Sequence, residues 1–330
     1  MTSSIKALRL AIKTCEIPHP AYVEHLKPMR FRIEDALDGA ASRIERVMGP
    51  SRVGKSMLIN TLQRDYPETR SGGRRHVPVL VVRLEPGVSP KLLPSCVLEA
   101  LGVPVPSRLT SAEIRKRMLS QLKLAGTRAV LFDEASHLVD QGSRVLPRAA
   151  ADWFKSLAET LDLTLLMFGV LRLERLFECN DQLRRRASAP RHFLPYDSRL
   201  AGEMQAFHAC VATYAQLFRE AGYPIDLPAA ALTYQCYLLT GGLIGVLSRF
   251  MEELAAQMTH TVPRSLSFTD CQAAARVIEA AGSRHFPAFA HPDAIEHEVL
   301  PASLHQAFVQ AMHDSEFAVP VLREAAGVRA

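Results

Sequence analysis

The chain has no Cys-x-x-Cys pair, and its six cysteines (Cys15, Cys96, Cys179, Cys210, Cys236 and Cys271) are widely scattered. That spacing argues against a zinc ribbon or finger. It points instead to buried free thiols in a reducing compartment. No apolar run approaches the ~18 residues that a membrane span needs. Residues Met1 to Pro20 also lack the continuous apolar stretch and small-residue cleavage site of a secretory signal. The expected location is therefore the cytoplasm, with no membrane partner. Internal repeats and low-complexity segments are missing as well, which argues against a solenoid or a disordered chain.

What is present describes a globular protein. The 330 residues are 48% hydrophobic and 22% charged, enough to bury the core of one or two domains. The formal charge is +5 and the isoelectric point is near 8.9. The excess is uneven. Between Arg108 and Arg128, Arg108, Arg115, Lys116, Arg117, Lys123 and Arg128 face one acid, Glu113. Such a cluster suits a polyanion.

The most informative segment is Gly49-Pro50-Ser51-Arg52-Val53-Gly54-Lys55-Ser56. It matches the phosphate-binding loop pattern of Gly, four residues, then Gly-Lys-Ser/Thr. Glycines let the backbone curl until several N–H groups point into one concavity. A helix beginning at Ser56-Met57 adds free N–H groups and the positive end of its dipole. Lys55 is expected at the β- and γ-phosphates of ATP, and the Ser56 hydroxyl at Mg²⁺. Residues 43–48 read as the strand leading in, although Arg43, Glu45 and Arg46 make it more charged than a usual buried strand.

Elsewhere strands alternate with helices. Apolar runs at Val77–Leu84, Ala129–Phe132 and Leu163–Phe168 read as buried strands. Helices are expected around Pro90–Leu101, Ser111–Leu124 and Trp153–Leu161, which together describe a parallel α/β sheet. In the helix over 111–124, Ile114, Met118 and Leu122 form a buried stripe against the sheet. Arg115, Lys116, Ser120 and Lys123 then lie on another face, the candidate surface for sequence-tolerant binding of duplex DNA. Residues 1–48 read as mostly helical, broken at Pro18-His19-Pro20 and at Pro28. After Pro195 only helices are expected: Leu200–Ala221, Leu227–Thr240, Leu243–Met258 and Thr269–Ala281, with breaks at Gly222, Gly241-Gly242 and Pro263.

Asp133-Glu134 closes an apolar strand downstream of the loop. Asp133 is the candidate metal-holding carboxylate, and Glu134 the candidate base that polarises the attacking water. Arg184-Arg185-Arg186 follows the third of the apolar runs. One of these arginines could reach the γ-phosphate of a neighbouring subunit, or they could contact DNA phosphates.

In this order the parts resemble the AAA+ ATPases of DNA transposition, the TniB/TnsC family that also serves CRISPR-associated transposons. The segments carrying the resemblance are Leu131-Phe132-Asp133-Glu134-Ala135-Ser136-His137-Leu138 and Asn180 to Arg186, within a span from about Arg30 to Glu253. The resemblance implies an AAA+ P-loop NTPase with a parallel sheet, followed by an all-helical lid. It implies ATP and Mg²⁺ as cofactors and Arg185 or Arg186 as the subunit-bridging finger. It also implies a ring or filament of copies of the chain on double-stranded DNA, coupling a TniQ-like target selector to the transposase.

Two departures from the family pattern imply a slow, regulatory ATPase. Gly169-Val170 stands where a polar residue commonly ends the third strand, with Thr164 further back. In the lid, Gly245 stands where an arginine is common, and Arg249 one turn later is the substitute nucleotide-binding residue. The expected layout is an N-terminal helical segment over 1–30, the nucleotide domain over 31–195, the lid over 196–282 and a helical arm over 283–330. The alternative function is a P-loop switch ATPase in signalling or defence.

Overall fold

Each apolar run marked as a buried strand becomes one. The computed structural model describes residues 2–88, 92–106, 108–139, 147–259, 261–280, 288–290, 301–313 and 316–317. In chain order, α1 (Thr2–Thr14) and α2 (Pro20–Leu37) precede β1 (Ile44–Met48). Then come α3 (Lys55–Asp65), β2 (Thr69–Ser71), β3 (Arg74–His76), β4 (Val79–Arg83), α4 (Leu93–Ala100), α5 (Ser111–Leu124) and β5 (Ala129–Asp133). They are followed by α6 (Pro147–Leu161), β6 (Thr164–Gly169), the short α7 (Glu174–Glu178) and α8 (Asp181–Arg186), and β7 (Arg191–His192). Next are α9 (Ala201–Glu220), α10 (Ala229–Thr240), α11 (Ile244–Gln257), α12 (Phe268–Ala280) and α13 (Pro301–His313).

The chain divides into two compact units, one of Pro20–Leu194 and one of Met1–His19 with Pro195–Ala330. Both crossings occur at a proline. Residue 30, where the sequence reading drew a boundary, lies inside α2. Of the expected arm over 283–330, α13 is the one regular element among the described residues. The second unit is helical, with α11 packed on α1 and α12, and α10 packed on α13. Among the described residues no single helix is long and apolar enough to cross a membrane.

The first unit holds a five-stranded sheet in the order β4-β5-β6-β1-β7, with every neighbouring pair parallel. β2 and β3 form a separate antiparallel hairpin. All residues of β5 and β6 are buried, as expected where helices cover both faces of a parallel sheet. The register pairs Met48 with Gly169 and Arg83 with Asp133. The ends of β1, β4, β5 and β6 therefore lie along one carboxyl edge, the usual ligand edge of an open α/β sheet.

The charged strand leading into the loop is fully buried, and each of its charges has a partner, although Glu45 Oε2 and Arg46 Nε make no hydrogen bond. Successive strand residues face opposite sides, so Glu45 and Arg46 find separate partners. The Glu45 carboxylate accepts from Arg32 Nε of α2 at 2.7 Å and from the Ser188 hydroxyl at 2.6 Å. Arg46 donates to Glu174 of α7 at 2.8 Å and lies over the Phe177 ring at 4.4 Å. Breaking a buried pair from one side strands the other charge. Arg32→Ala is expected to destabilise the fold by about 3 kcal/mol, the low end of the usual range because Ser188 remains. Urea unfolding checks this, and a loss under 1 kcal/mol would mean that Glu45 finds solvation elsewhere.

Three expectations need correction. Pro28 does not break the N-terminal helix but sits inside α2. An interior proline costs about 3 kcal/mol. Burial of Tyr22, Leu26, Met29 and Ile33 along one face outweighs that cost. In α5, Met118 and Leu122 are buried but Ile114 is only half-buried, because α5 packs chiefly on α4 rather than on the sheet. Of the six free cysteines, Cys210, Cys236 and Cys271 are buried, while Cys15 and Cys96 are intermediate and Cys179 is exposed.

Candidate nucleotide-binding site

Six residues separate the end of β1 from the start of α3, and they form a tight loop. The Gly49 N–H donates to the Gly169 carbonyl at 3.1 Å. A side chain at Gly49 would clash with the Phe193 carbonyl oxygen. Gly54 has φ 121° and ends the loop, a conformation that favours glycine. Pro50 and Val53 are buried, Ser51 and Arg52 are exposed, and Arg52 takes a left-handed φ of 66°. No side chain caps the N-terminus of α3, so its first N–H groups face any ligand in the loop. Ser56 is exposed at that terminus and Met57 is half-buried.

Lys55 is buried, and its Nζ donates to the carbonyl oxygens of Gly49 at 2.8 Å and Pro50 at 2.7 Å. Those two oxygens take up hydrogen bonds that the ammonium could otherwise give to an anion in the loop. Asp133 ends β5 buried, and its Oδ1 accepts the Glu134 N–H at 3.0 Å. Arg83 Nε lies 3.6 Å from Asp133 Oδ2. Glu134 holds a left-handed φ of 56°, which costs a non-glycine residue roughly 1–3 kcal/mol. Such strain at a strand end next to a phosphate loop suits a positioned catalytic group.

The electrostatics tie these residues together. Burial pulls the Lys55 ammonium down from its ordinary value to about 8, against the opposing fields of Glu134 and Asp133. Lys55 is therefore charged below pH 8 and loses its proton above it. A bound polyphosphate favours the charged form. Nucleotide affinity should thus be flat up to about pH 8 and fall by up to roughly tenfold per unit beyond it. Titration of a fluorescent ATP analogue at pH 7, 8 and 9 measures this. An affinity unchanged from pH 8 to 9 would show that Lys55 keeps its proton there.

The strand end without a polar side chain has a local cause. A Cβ at Gly169 would sit 3.1 Å from the Ser136 backbone nitrogen and 3.2 Å from its hydroxyl. Ser136 is buried, in the 3-10 turn Ala135–Val139 that follows Glu134, and its Oγ accepts from Val170 N–H at 3.5 Å. Neither Ser136 nor Phe193, which walls the loop, was singled out from the sequence. Phe193 directly follows β7, and no local pattern links it to Gly49.

The arginine triplet forms the second half of α8, which is capped by Asn180, whose side chain accepts from the N–H groups of Gln182 and Leu183. Arg184 pairs with Asp181 at 2.6 Å, and Arg186 pairs with Glu159 of α6 at 2.7 Å. Arg185 is exposed and makes no ion pair among the described residues. Arg249 lies half-buried on α11, in the helical unit. On α5, Arg115, Lys116, Ser120 and Lys123 are all exposed, and Arg115 donates to the Ser156 hydroxyl at 2.6 Å.

No match was found among curated protein sequences. Solved structures share the fold. The Aeropyrum pernix ORC2 protein, in ADPNP–ADP complexes, superposes with a TM-score of 0.60 at 14% identity, over 82% of this chain and 72% of that one. Cdc6p from Pyrobaculum aerophilum gives a TM-score of 0.60 at 12% identity, over 94% and 86%. The Aeropyrum pernix ORC1 protein in complex with DNA gives 0.59 at 16% identity, over 82% and 69%. A family model described as the bacterial TniB protein matches residues 22–194, more than half of the chain. That span holds the phosphate loop, the whole parallel sheet and the arginine helix, so the chain belongs to the TniB family and carries the AAA+ ATPase fold.

Proposed function

We propose that this protein is an ATP-dependent regulator of DNA transposition. It binds duplex DNA, assembles with further copies of itself when ATP is bound, and couples a TniQ-like target selector to the transposase. The observation that carries the nucleotide part is the buried Lys55 ammonium held on Gly49 and Pro50 carbonyls, in the field of Asp133 and Glu134. Membership of the TniB family supports the link to transposition.

Each residue then has a task. The loop N–H groups and the α3 terminus bind the phosphates. Lys55 exchanges its two carbonyl partners for β- and γ-phosphate oxygens. The Ser56 hydroxyl and the Asp133 carboxylate are hard oxygen donors of the kind Mg²⁺ takes, and they would hold it. Bound there, Mg²⁺–ATP supplies the phosphoryl group and neutralises its charge. Glu134 accepts a proton from the attacking water. Arg185 reaches a neighbouring subunit, which makes assembly depend on the γ-phosphate. Turnover is slow because Gly169 offers no polar side chain, and hydrolysis resets the assembly.

Negative-stain imaging with random duplex DNA, with and without ATP, tests this reading. Rings or filaments are expected only with both. Assembly on DNA without ATP would indicate a nucleotide-independent scaffold. Indifference to DNA would indicate a switch ATPase outside transposition. Lys55→Ala is expected to abolish nucleotide binding, because it removes the charge facing the β- and γ-phosphates, and with it the assembly. Unchanged ATP affinity in that variant would sink the loop assignment.

A further inference from the structure

We infer that the β2–β3 hairpin, with Lys123 of α5, is a docking surface for the phosphate backbone of duplex DNA. This rests on the DNA-binding reading above and extends it to an element that the sequence did not mark. All six strand residues of the hairpin are exposed. The register sets Arg70 directly opposite Arg75 and Ser71 opposite Arg74. Like charges directly opposite each other destabilise a strand pair. Glu68 relieves Arg75, accepting from its Nε and Nη2 at 2.7 Å each. Arg70 and Arg74 have no ion pair among the described residues. Glu68 also feels the charge of Arg70, but both its oxygens are committed to Arg75, so positive charge at Arg70 and Arg74 is left over for a polyanion to offset.

The hairpin is presented rather than loose. An isolated two-stranded hairpin is marginal in water, but this one is fastened at its base. Arg75 donates to the Leu101 carbonyl, while His76 Nδ1 and the Val77 N–H both reach the Ala125 carbonyl at 2.8 Å. The tip, Gly72-Gly73, has φ of 56° and 76°, the two positive angles of a tight hairpin turn. Nothing lies within 4 Å of a Cβ placed at either glycine. The tip is narrow and open, so its backbone can approach another backbone closely.

The basic surface continues from the hairpin to the helix. A recess of about 560 Å³ is bordered by Arg74, Arg75, Ser120 and Lys123. A second, of about 590 Å³, lies on the other side of Lys123 and adds His76 and Arg128. The acids at its rim are already engaged: Glu159 with Arg186, and Asp162 with the Ser42 N–H at 2.8 Å. The uncommitted charge is positive and spread along the surface rather than converging on one point. That pattern follows a repeating row of phosphates, and arginine forks suit phosphate oxygens.

The test is a salt titration of duplex binding by the full-length protein with ATP, comparing wild type with the double variant Arg70→Ala, Arg74→Ala. Two lost contacts should reduce the slope of log affinity against log salt by roughly 1.8 per subunit engaged. Affinity should fall evenly across duplex sequences, because backbone contacts carry no base information. ATP affinity should not change, and the melting temperature should not fall, since the variant removes like charges from the strand pair. The paired lysine variant, Arg70→Lys with Arg74→Lys, should keep the wild-type slope. An unchanged slope in the alanine variant, beside weaker binding by Lys116→Ala with Lys123→Ala, would remove the hairpin from the DNA path while the DNA reading stands. A wild-type protein that ignores duplex DNA would overturn that reading and this inference with it. Poly-L-glutamate bound as tightly as DNA, and lost in the alanine variant, would assign the hairpin to an acidic protein partner instead.

Discussion

Arg185→Ala is expected to lower ATP turnover in the DNA-bound assembly by about 10³–10⁵, the range measured for arginine fingers. The isolated chain should bind nucleotide as tightly as before. The side-chain pairing on α8 singles this residue out of three. A finger that crosses to a neighbour must be uncommitted in its own subunit. Arg184 is tied to Asp181 within the helix, and Arg186 is tied across to Glu159. Arg185 is exposed with no such tie among the described residues. Arg186→Ala should therefore cost little turnover, and an exposed ion pair of this kind contributes only about 0.2–1 kcal/mol to stability. Arg185→Lys should also fail, since an ammonium lacks the planar fork that engages two phosphate oxygens. Turnover and particle formation, measured side by side for the two alanine variants, decide between them. Full activity in Arg185→Ala with loss in Arg186→Ala would move the role by one residue. Full activity in both would return the triplet to an ordinary solvated turn.

Glu134→Gln should cut hydrolysis by about 10²–10⁴, the usual contribution of a positioned general base. ATP should stay bound. The amide keeps the size of the carboxylate but cannot take a proton from water. It removes one of the two fields that favour the charged form of Lys55, and Asp133 keeps the other. Assemblies on DNA should consequently outlive those of the wild type, because their reset step is gone. Single-turnover kinetics and dissociation rates after ATP dilution report the two effects separately. Wild-type turnover in this variant would mean that Glu134, despite its left-handed backbone, is not the base.

The division between what was legible in the chain and what was not follows the range of the interactions. The phosphate loop, the buried strands, the Asp133-Glu134 strand end and the helices after Pro195 are all local patterns. Glycines, runs of apolar residues and helical spacing act over a few neighbours, and they were legible without tertiary contacts. The charged strand β1 was the exception that only the fold resolves. Glu45 meets Ser188, 143 residues away, and Arg46 meets Glu174, 128 residues away. No periodicity encodes such partners. Pro28 was legible as a helix breaker, but burial of one face of α2 outweighs the lost hydrogen bond. The hairpin was missed because its strands are three residues each and wholly polar, so they carry no apolar alternation. The triplet of arginines was obvious in the sequence, yet which of them is uncommitted depends on Glu159, in a helix that no local rule ties to α8. Sequence alone pointed to a phosphate-binding loop, because that pattern is local to eight residues. Tertiary structure alone decided how the charges are shared out, because burial and distance set the partner of each charge.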